Sequence, residues 1–138
     1  MDRNSAVSEY DEAATRKLSH QRDICCQGYE RSDGLWDIEA TLSDIKGFEI
    51  ETPDRPLIAT DERLHYMSLC LTINVDMKII AVNTRLEATP YHRCPKVAAQ
   101  YQSLCGLTIG PGWQRSIREL LGGVKGCAHL REILSQMA

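Results

Sequence analysis

Residues 33–44, DGLWDIEATLSD, combine a turn signal with the alternation of a β-strand. The Asp33-Gly34 pair is a turn signal, and a strict alternation of apolar and polar residues follows it. The apolar set is Trp36, Ile38, Ala40 and Leu42. The polar set is Asp37, Glu39, Thr41 and Ser43. The stretch therefore predicts the second strand of a hairpin with one face on the core and one face in water.

A second alternating run follows a connection that contains proline and aspartate, at about residues 46 to 62. It is HYMSLCLTINV, residues 65–75, and it returns through a turn near Asp76. Its predicted inward set is His65, Met67, Leu69, Leu71, Ile73 and Val75. Two successive hairpins predict four antiparallel strands.

After Pro90 the apolar period changes to that of a helix. The first predicted helix opens at Pro95, ends at Gly106 and has an apolar face of Val97, Ala98, Tyr101, Leu104 and Cys105. The second follows GPGW, is stopped by Gly122-Gly123 and points inward with Trp113, Ile117, Leu120 and Leu121. The third starts near Cys127 and buries Leu130, Ile133, Leu134 and Met137. Strands followed by helices predict an α+β domain, with three helices packed on one face of an antiparallel sheet of about four strands.

Length, composition and charge limit the function classes. The 138 residues are 43% hydrophobic, which suits one domain, predicted over residues 23–138 after a flexible N-terminal arm at 1–22. A formal net charge of -3 with mixed signs argues against nucleic acid and against a membrane surface as partners. No apolar run approaches the ~20 residues of a membrane span, and the start lacks a signal peptide, so we expect a cytoplasmic protein. In a reducing compartment the six cysteines are core residues, metal ligands or reactive thiols.

Cys127 and His129, in GCAHL at the start of the last predicted helix, are the first candidate site residues. The positive end of a helix favours a thiolate at Cys127. At about 100° per residue the two side chains diverge by roughly 200° if both are helical, and they converge only if Cys127 is at or before the N-cap. Cys127 also lies three residues before Leu130 and therefore falls on the predicted buried face of the helix. A buried structural thiol is an equally good interpretation.

Cys94 and His65 are the other two candidates. Cys94 directly precedes Pro95 and so occupies the N-cap of the first predicted helix, where a cysteine is a poor capping residue. His65 opens the apolar face of its strand and is predicted to lie opposite about residue 88, a few residues before Cys94. By itself, His65 is better interpreted as a partly buried histidine bonded to a carbonyl. His92 is a reserve ligand.

The stretches GYERSDGLWDIEATLSDIK, ATPYHRCP, GLTIGPGWQRSIRELLGG and GCAHLREIL resemble a bacterial domain family of unknown function. The order of His65 opening a strand, Cys94 at a helix start and Cys127 at the start of the final helix also resembles the iron–sulfur scaffold proteins of the NifU, IscU and SufE type. That resemblance implies an α+β fold and a cluster bound at these three places. The chain departs from those scaffolds by having a histidine at the first place, by Tyr66-Met67 after it, and by a histidine after the last cysteine.

The leading hypothesis is a metal-binding domain in which His65, Cys94 and Cys127 bind zinc or iron, as an ion or an iron–sulfur cluster, and His129 or a water completes the site. A water would leave the site open for hydrolysis, whereas His129 would close it. One alternative is a thiol enzyme with Cys127 as nucleophile and His129 or His65 as base. The other is a non-catalytic binding or assembly module with structural cysteines and an unknown protein partner.

Overall fold

In the computed structural model, which describes residues 14–90, 98–122 and 127–138, the chain forms four strands followed by helices. The strands are β1 (His20–Glu30), β2 (Trp36–Lys46), β3 (Arg63–Ile73) and β4 (Ile79–Ala88). A 3-10 helix (Ala99–Leu104), α1 (Trp113–Leu121) and α2 (Ala128–Gln136) follow. The strands form one antiparallel sheet in the order β1-β2-β3-β4, so the predicted α+β layout is confirmed.

The two hairpins form where the turn residues predict them. Asp33 accepts a hydrogen bond from the backbone N–H of Leu35 (3.2 Å), and Gly34 has a φ of 83°, which favours glycine. In the second turn the side chain of Asn74 accepts hydrogen bonds from the N–H groups of Asp76 and Lys78, each 3.0 Å long. Because β3 ends at Ile73, the predicted inward position of Val75 is wrong, and Val75 is 79% exposed in the turn.

The core lies between one face of the sheet and the helices. The alternating residues of β2 and β3 supply one side of it: Ala40, Leu42, Met67, Leu69, Leu71 and Ile73. The helices supply the other side: Tyr101, Leu104, Trp113, Ile117, Leu121, Leu130, Ile133 and Leu134. α2 packs against β2 and β3 and leaves the same face of β1 largely uncovered. Among the described residues no helix is both long and apolar enough to cross a membrane.

Two predicted helix-face residues lie elsewhere. Cys105 follows the last residue of the 3-10 helix and is exposed, because the chain turns there into Gly106, whose φ is 92°. Leu120 is 38% exposed at the edge of the apolar face of α1, where Leu121 rather than Leu120 points into the core. Pro95, the predicted start of the first helix, lies outside the described residues.

Truncation of a core leucine on α2 tests this arrangement. We expect Leu134→Ala to lower the free energy of unfolding by about 2–5 kcal/mol, because Leu134 is fully buried and its loss leaves a cavity. The matched control is Leu120→Ala on α1, for which a change of roughly 0.5 kcal/mol is expected. Urea unfolding followed by circular dichroism measures both, and equal losses would contradict this packing.

Candidate functional site

Asp44 is the buried acidic residue on which the candidate site is built. It continues the inward face of β2 after Ala40 and Leu42, and only 1% of it is exposed. A register shift follows it, between Asp44 and Ile45. A carboxylate placed on the core face of a strand must be paired, because burial of an unpaired charge is costly.

The neighbouring strands supply the partners of Asp44. The register places Arg22 of β1 and His65 of β3 directly opposite Asp44, one on each side. Arg22 donates from Nη2 to Oδ2 of Asp44 (2.8 Å), and the backbone N–H of His65 donates to Oδ1 (2.8 Å). His20 Nε2 lies 3.8 Å from Oδ2. Three strands are therefore joined at one end of the sheet through one carboxylate.

The pKa of Asp44 lies below its ordinary value. Burial by itself would raise this pKa, but the hydrogen bonds from Arg22 and from the ring and backbone N–H groups of His65 outweigh burial. Asp44 is therefore ionised at neutral pH, and both of its oxygens act as acceptors.

The ionised carboxylate decides the tautomer of His65. Nδ1 of His65 lies 2.9 Å from Oδ1 of Asp44, so Nδ1 carries the proton and donates it to this hydrogen bond. Burial lowers the pKa of His65. Asp44 raises this pKa, but not back to its ordinary value, and the charges of Arg22 and Arg55 lower it further. At neutral pH His65 is thus a neutral imidazole whose Nε2 is the unprotonated nitrogen.

α2 brings a second imidazole onto the first. His129 lies in the first turn of α2, and its ring centroid is 3.8 Å from that of His65, with the two rings tilted by 31°. Burial, then the neighbouring His65 and Arg22, lower the pKa of His129. Ligand atoms of Asp44, His65 and His129 all lie within 4.8 Å of one another, and they are the one such group of three within the described ranges.

Cys127 occupies the N-cap of α2, the position at which its side chain can converge with His129. Its φ of -79° and ψ of 126° place it outside the helix proper. The side chain is partly buried against the core, and its Sγ is not among the clustered ligand atoms. Its carbonyl accepts hydrogen bonds from the hydroxyl of Tyr101 (2.9 Å) and the N–H of Arg131 (3.0 Å). The structure thus brings His65 and His129 together and places Cys127 at the base of the same helix.

The remaining predicted ligands and thiols lie apart from this cluster. Cys94 and the reserve ligand His92 lie outside the described residues. Cys25, Cys26 and Cys105 are exposed free thiols. Burial, then the charges of Asp37 and Glu39, raise the pKa of Cys70 to about 11, on the sheet face away from the helices.

Asp44, Arg22 and His20 are the site residues that sequence reasoning missed. The signal for Asp44 was the alternation itself, since one further step of two residues from Leu42 leads inward to Asp44. His20 and Arg22 fall in the predicted arm, whereas β1 begins at His20. Their stretch lacks an apolar period because every residue of β1 except Ile24 is exposed.

The metal-free protein is expected to lose stability as pH falls below about 6.5. Since the folded-state pKa values of His65 and His129 lie below the ordinary 6.5, the unfolded chain takes up protons first as pH falls. The stability that the two neutral imidazoles provide is fully present above about pH 6.5. It is lost as pH falls toward their folded-state pKa values. Asp44 adds a further loss of stability only as pH falls below 3.8, the ordinary pKa of its carboxyl group.

Urea unfolding in the presence of chelator, at about pH 7.5 and pH 5.5, measures the histidine contribution. His129→Gln is expected to reduce the difference between the two pH values. Equal stability of the unmodified protein at both would contradict the two lowered pKa values.

The family comparison covers nearly the whole of this architecture. A family model described as a protein of unknown function, DUF2889, matches residues 20–138, from the first residue of β1 to the end of the chain. Comparison with curated proteins and with solved structures finds no match, so the resemblance to iron–sulfur scaffold proteins has no support. The chain belongs to the DUF2889 family, whose function is unknown.

Proposed function

We propose that this domain binds one transition-metal ion, zinc or iron, through His65 and His129. The observation that carries the proposal is the contact of two imidazoles beside a buried carboxylate, with ligand atoms of all three residues within 4.8 Å. Because burial keeps both imidazoles neutral, neither must lose a proton before it binds a metal.

Asp44 is proposed to orient His65 rather than to bind the ion. Both of its oxygens already accept hydrogen bonds, from Arg22 and from His65. A carboxylate that holds the Nδ1–H of a histidine fixes the ring and makes Nε2 a better donor to a metal. The hydrogen-bonded row of Arg22, Asp44 and His65 has this arrangement.

Cys127 and Cys94 are proposed to supply the thiolates that complete the site. Support for Cys127 is its place at the N-cap of the helix that carries His129. Support for Cys94 comes from the sequence pattern. Two imidazoles and two thiolates suit tetrahedral zinc and close the site, whereas replacement of one thiolate by water leaves it open. The five described cysteines are free thiols, which fits the reducing cytoplasm that we propose as its location.

A thiol enzyme is the second candidate, and the Asp44–His65 pair favours it. A histidine whose Nδ1 is held by a carboxylate at 2.9 Å is also the arrangement of a general base. In that case Cys127 is the nucleophile, and its alkylation requires His65 or His129.

Metal content by mass spectrometry, on untagged protein prepared without chelator, separates these candidates. We expect about one zinc or iron per chain, lost in His129→Ala, Cys127→Ser and Cys94→Ser. The matched control is Cys70→Ser, whose thiol lies on the other sheet face and whose metal content is expected to stay unchanged. Circular dichroism establishes that each variant is folded.

Two results would contradict the metal proposal. One is protein without metal after anaerobic preparation, and the other is metal that remains in folded His129→Ala. Fast alkylation of Cys127 in such protein, slowed by His129→Ala, would favour the thiol enzyme. Slow alkylation together with the absence of metal would favour a non-catalytic module.

A further inference from the structure

β1 is an edge strand that is long, without a bulge and uncovered by any described residue, and its inward-pointing Arg22 is paired with Asp44. It pairs with β2 along all 11 residues without a register shift, and it contains no proline or lysine. All of its residues except Ile24 are exposed. Natural edge strands of this length are normally shortened, bulged or covered, because free backbone groups pair with other strands.

The opposite edge of the sheet is covered in part, at the beginning of β4. Ile79 of β4 donates its N–H to the carbonyl of Leu107 and accepts from the N–H of Gly106, each at 2.8 Å. Gln102 donates from Nε2 to the carbonyl of Val82 (2.7 Å). The 3-10 helix and the loop after it therefore cover the first residues of the edge at β4, and no described residue does the same for β1.

The phase of the hydrogen bonds shows which groups of β1 are free. The N–H of Arg31 bonds to Leu35 (2.9 Å) and the N–H of Gly47 bonds to Ser19 (2.8 Å), so the odd-numbered residues of β1 face β2. The even-numbered residues, from His20 to Glu30, direct their backbone N–H and C=O groups to the free edge. Within the described ranges, no backbone group accepts from or donates to them.

We propose that β1 is the interface of a homodimer, in which two copies of β1 pair antiparallel and join two sheets into one of eight strands. An antiparallel pair forms hydrogen bonds only where the facing residues both direct their groups to the shared edge. For two copies of β1 such a pair joins two even-numbered residues. The symmetric register that uses all 11 residues has Cys25 on the two-fold axis.

This register is self-complementary. It places His20 opposite Glu30 of the second copy at both ends, which pairs a basic side chain with an acidic one. It places Arg22 opposite Gly28, where a side chain is absent and the bonds of Arg22 to Asp44 and Glu132 are left undisturbed. No two like charges face each other across the axis.

The same register makes a specific prediction for the adjacent cysteines. The two Cys25 residues form a pair without backbone hydrogen bonds, in which the Cα atoms are about 4.5 Å apart, within the range of about 4.4–6.8 Å that a disulfide requires. Cys26 lies opposite Ile24 and points to the other sheet face. Oxidation with diamide, which accepts the two thiol hydrogens, therefore links chains through Cys25 and not through Cys26.

The experiment combines mass measurement by light scattering with diamide cross-linking and mapping of the linked peptide. The expected result is a mass twice the 15.5 kDa of one chain, and a Cys25–Cys25 link that survives Cys26→Ser and is absent in Cys25→Ser. Gly28→Pro removes an edge N–H and is expected to give a monomer. Gly28→Ala keeps that N–H and is expected to stay dimeric.

A monomeric parent protein would overturn the proposal. So would a dimer that persists in folded Gly28→Pro, or a cross-link that maps to a cysteine other than Cys25. If Gly28→Pro fails to fold, the cross-linked peptide obtained from the unsubstituted protein still identifies the register between the two copies of β1.

Discussion

The ionised carboxylate of Asp44, buried on the core side of β2, is the constraint on which the site depends. An isolated buried charge is unstable, so Arg22 and His65 must bind it from the two neighbouring strands. Their hydrogen bonds fix the register at one end of the sheet, where the shift between Asp44 and Ile45 occurs. A one-residue slip of either neighbour would turn Arg22 or His65 to the other face and leave Asp44 unpaired.

The carboxylate of Asp44 also orients the imidazole on which α2 packs. By holding Nδ1 of His65 it fixes the ring against which His129 packs at a centroid distance of 3.8 Å. His129 lies in the first turn of α2, whose N-cap carbonyl is bound by Tyr101 from the fully buried part of the 3-10 helix. The site therefore lies where β2 and β3 meet the first turn of α2.

The sequence predicts the strands, the turns and the core face of α2, because alternation and helical period report directly on burial. His65 could be predicted to point inward for the same reason. Asp44 could not be recognised as easily, since an aspartate after an apolar run is usually the end of the buried face. Its partners Arg22 and His20 belong to a strand that is exposed except at Ile24 and therefore has no apolar period. The contact of His65 with His129 depends on how α2 crosses the sheet, which a pattern in one segment cannot specify.

Nitrogen NMR of the His65 imidazole in metal-free protein measures its tautomer and its pKa, and so tests whether Asp44 orients a neutral ring. We expect a neutral ring at pH 7 with the proton on Nδ1, and a pKa below the ordinary 6.5. A proton on Nε2 would contradict the role given to Asp44, and a pKa at or above 6.5 would contradict the conclusion that burial outweighs Asp44 and keeps the ring neutral.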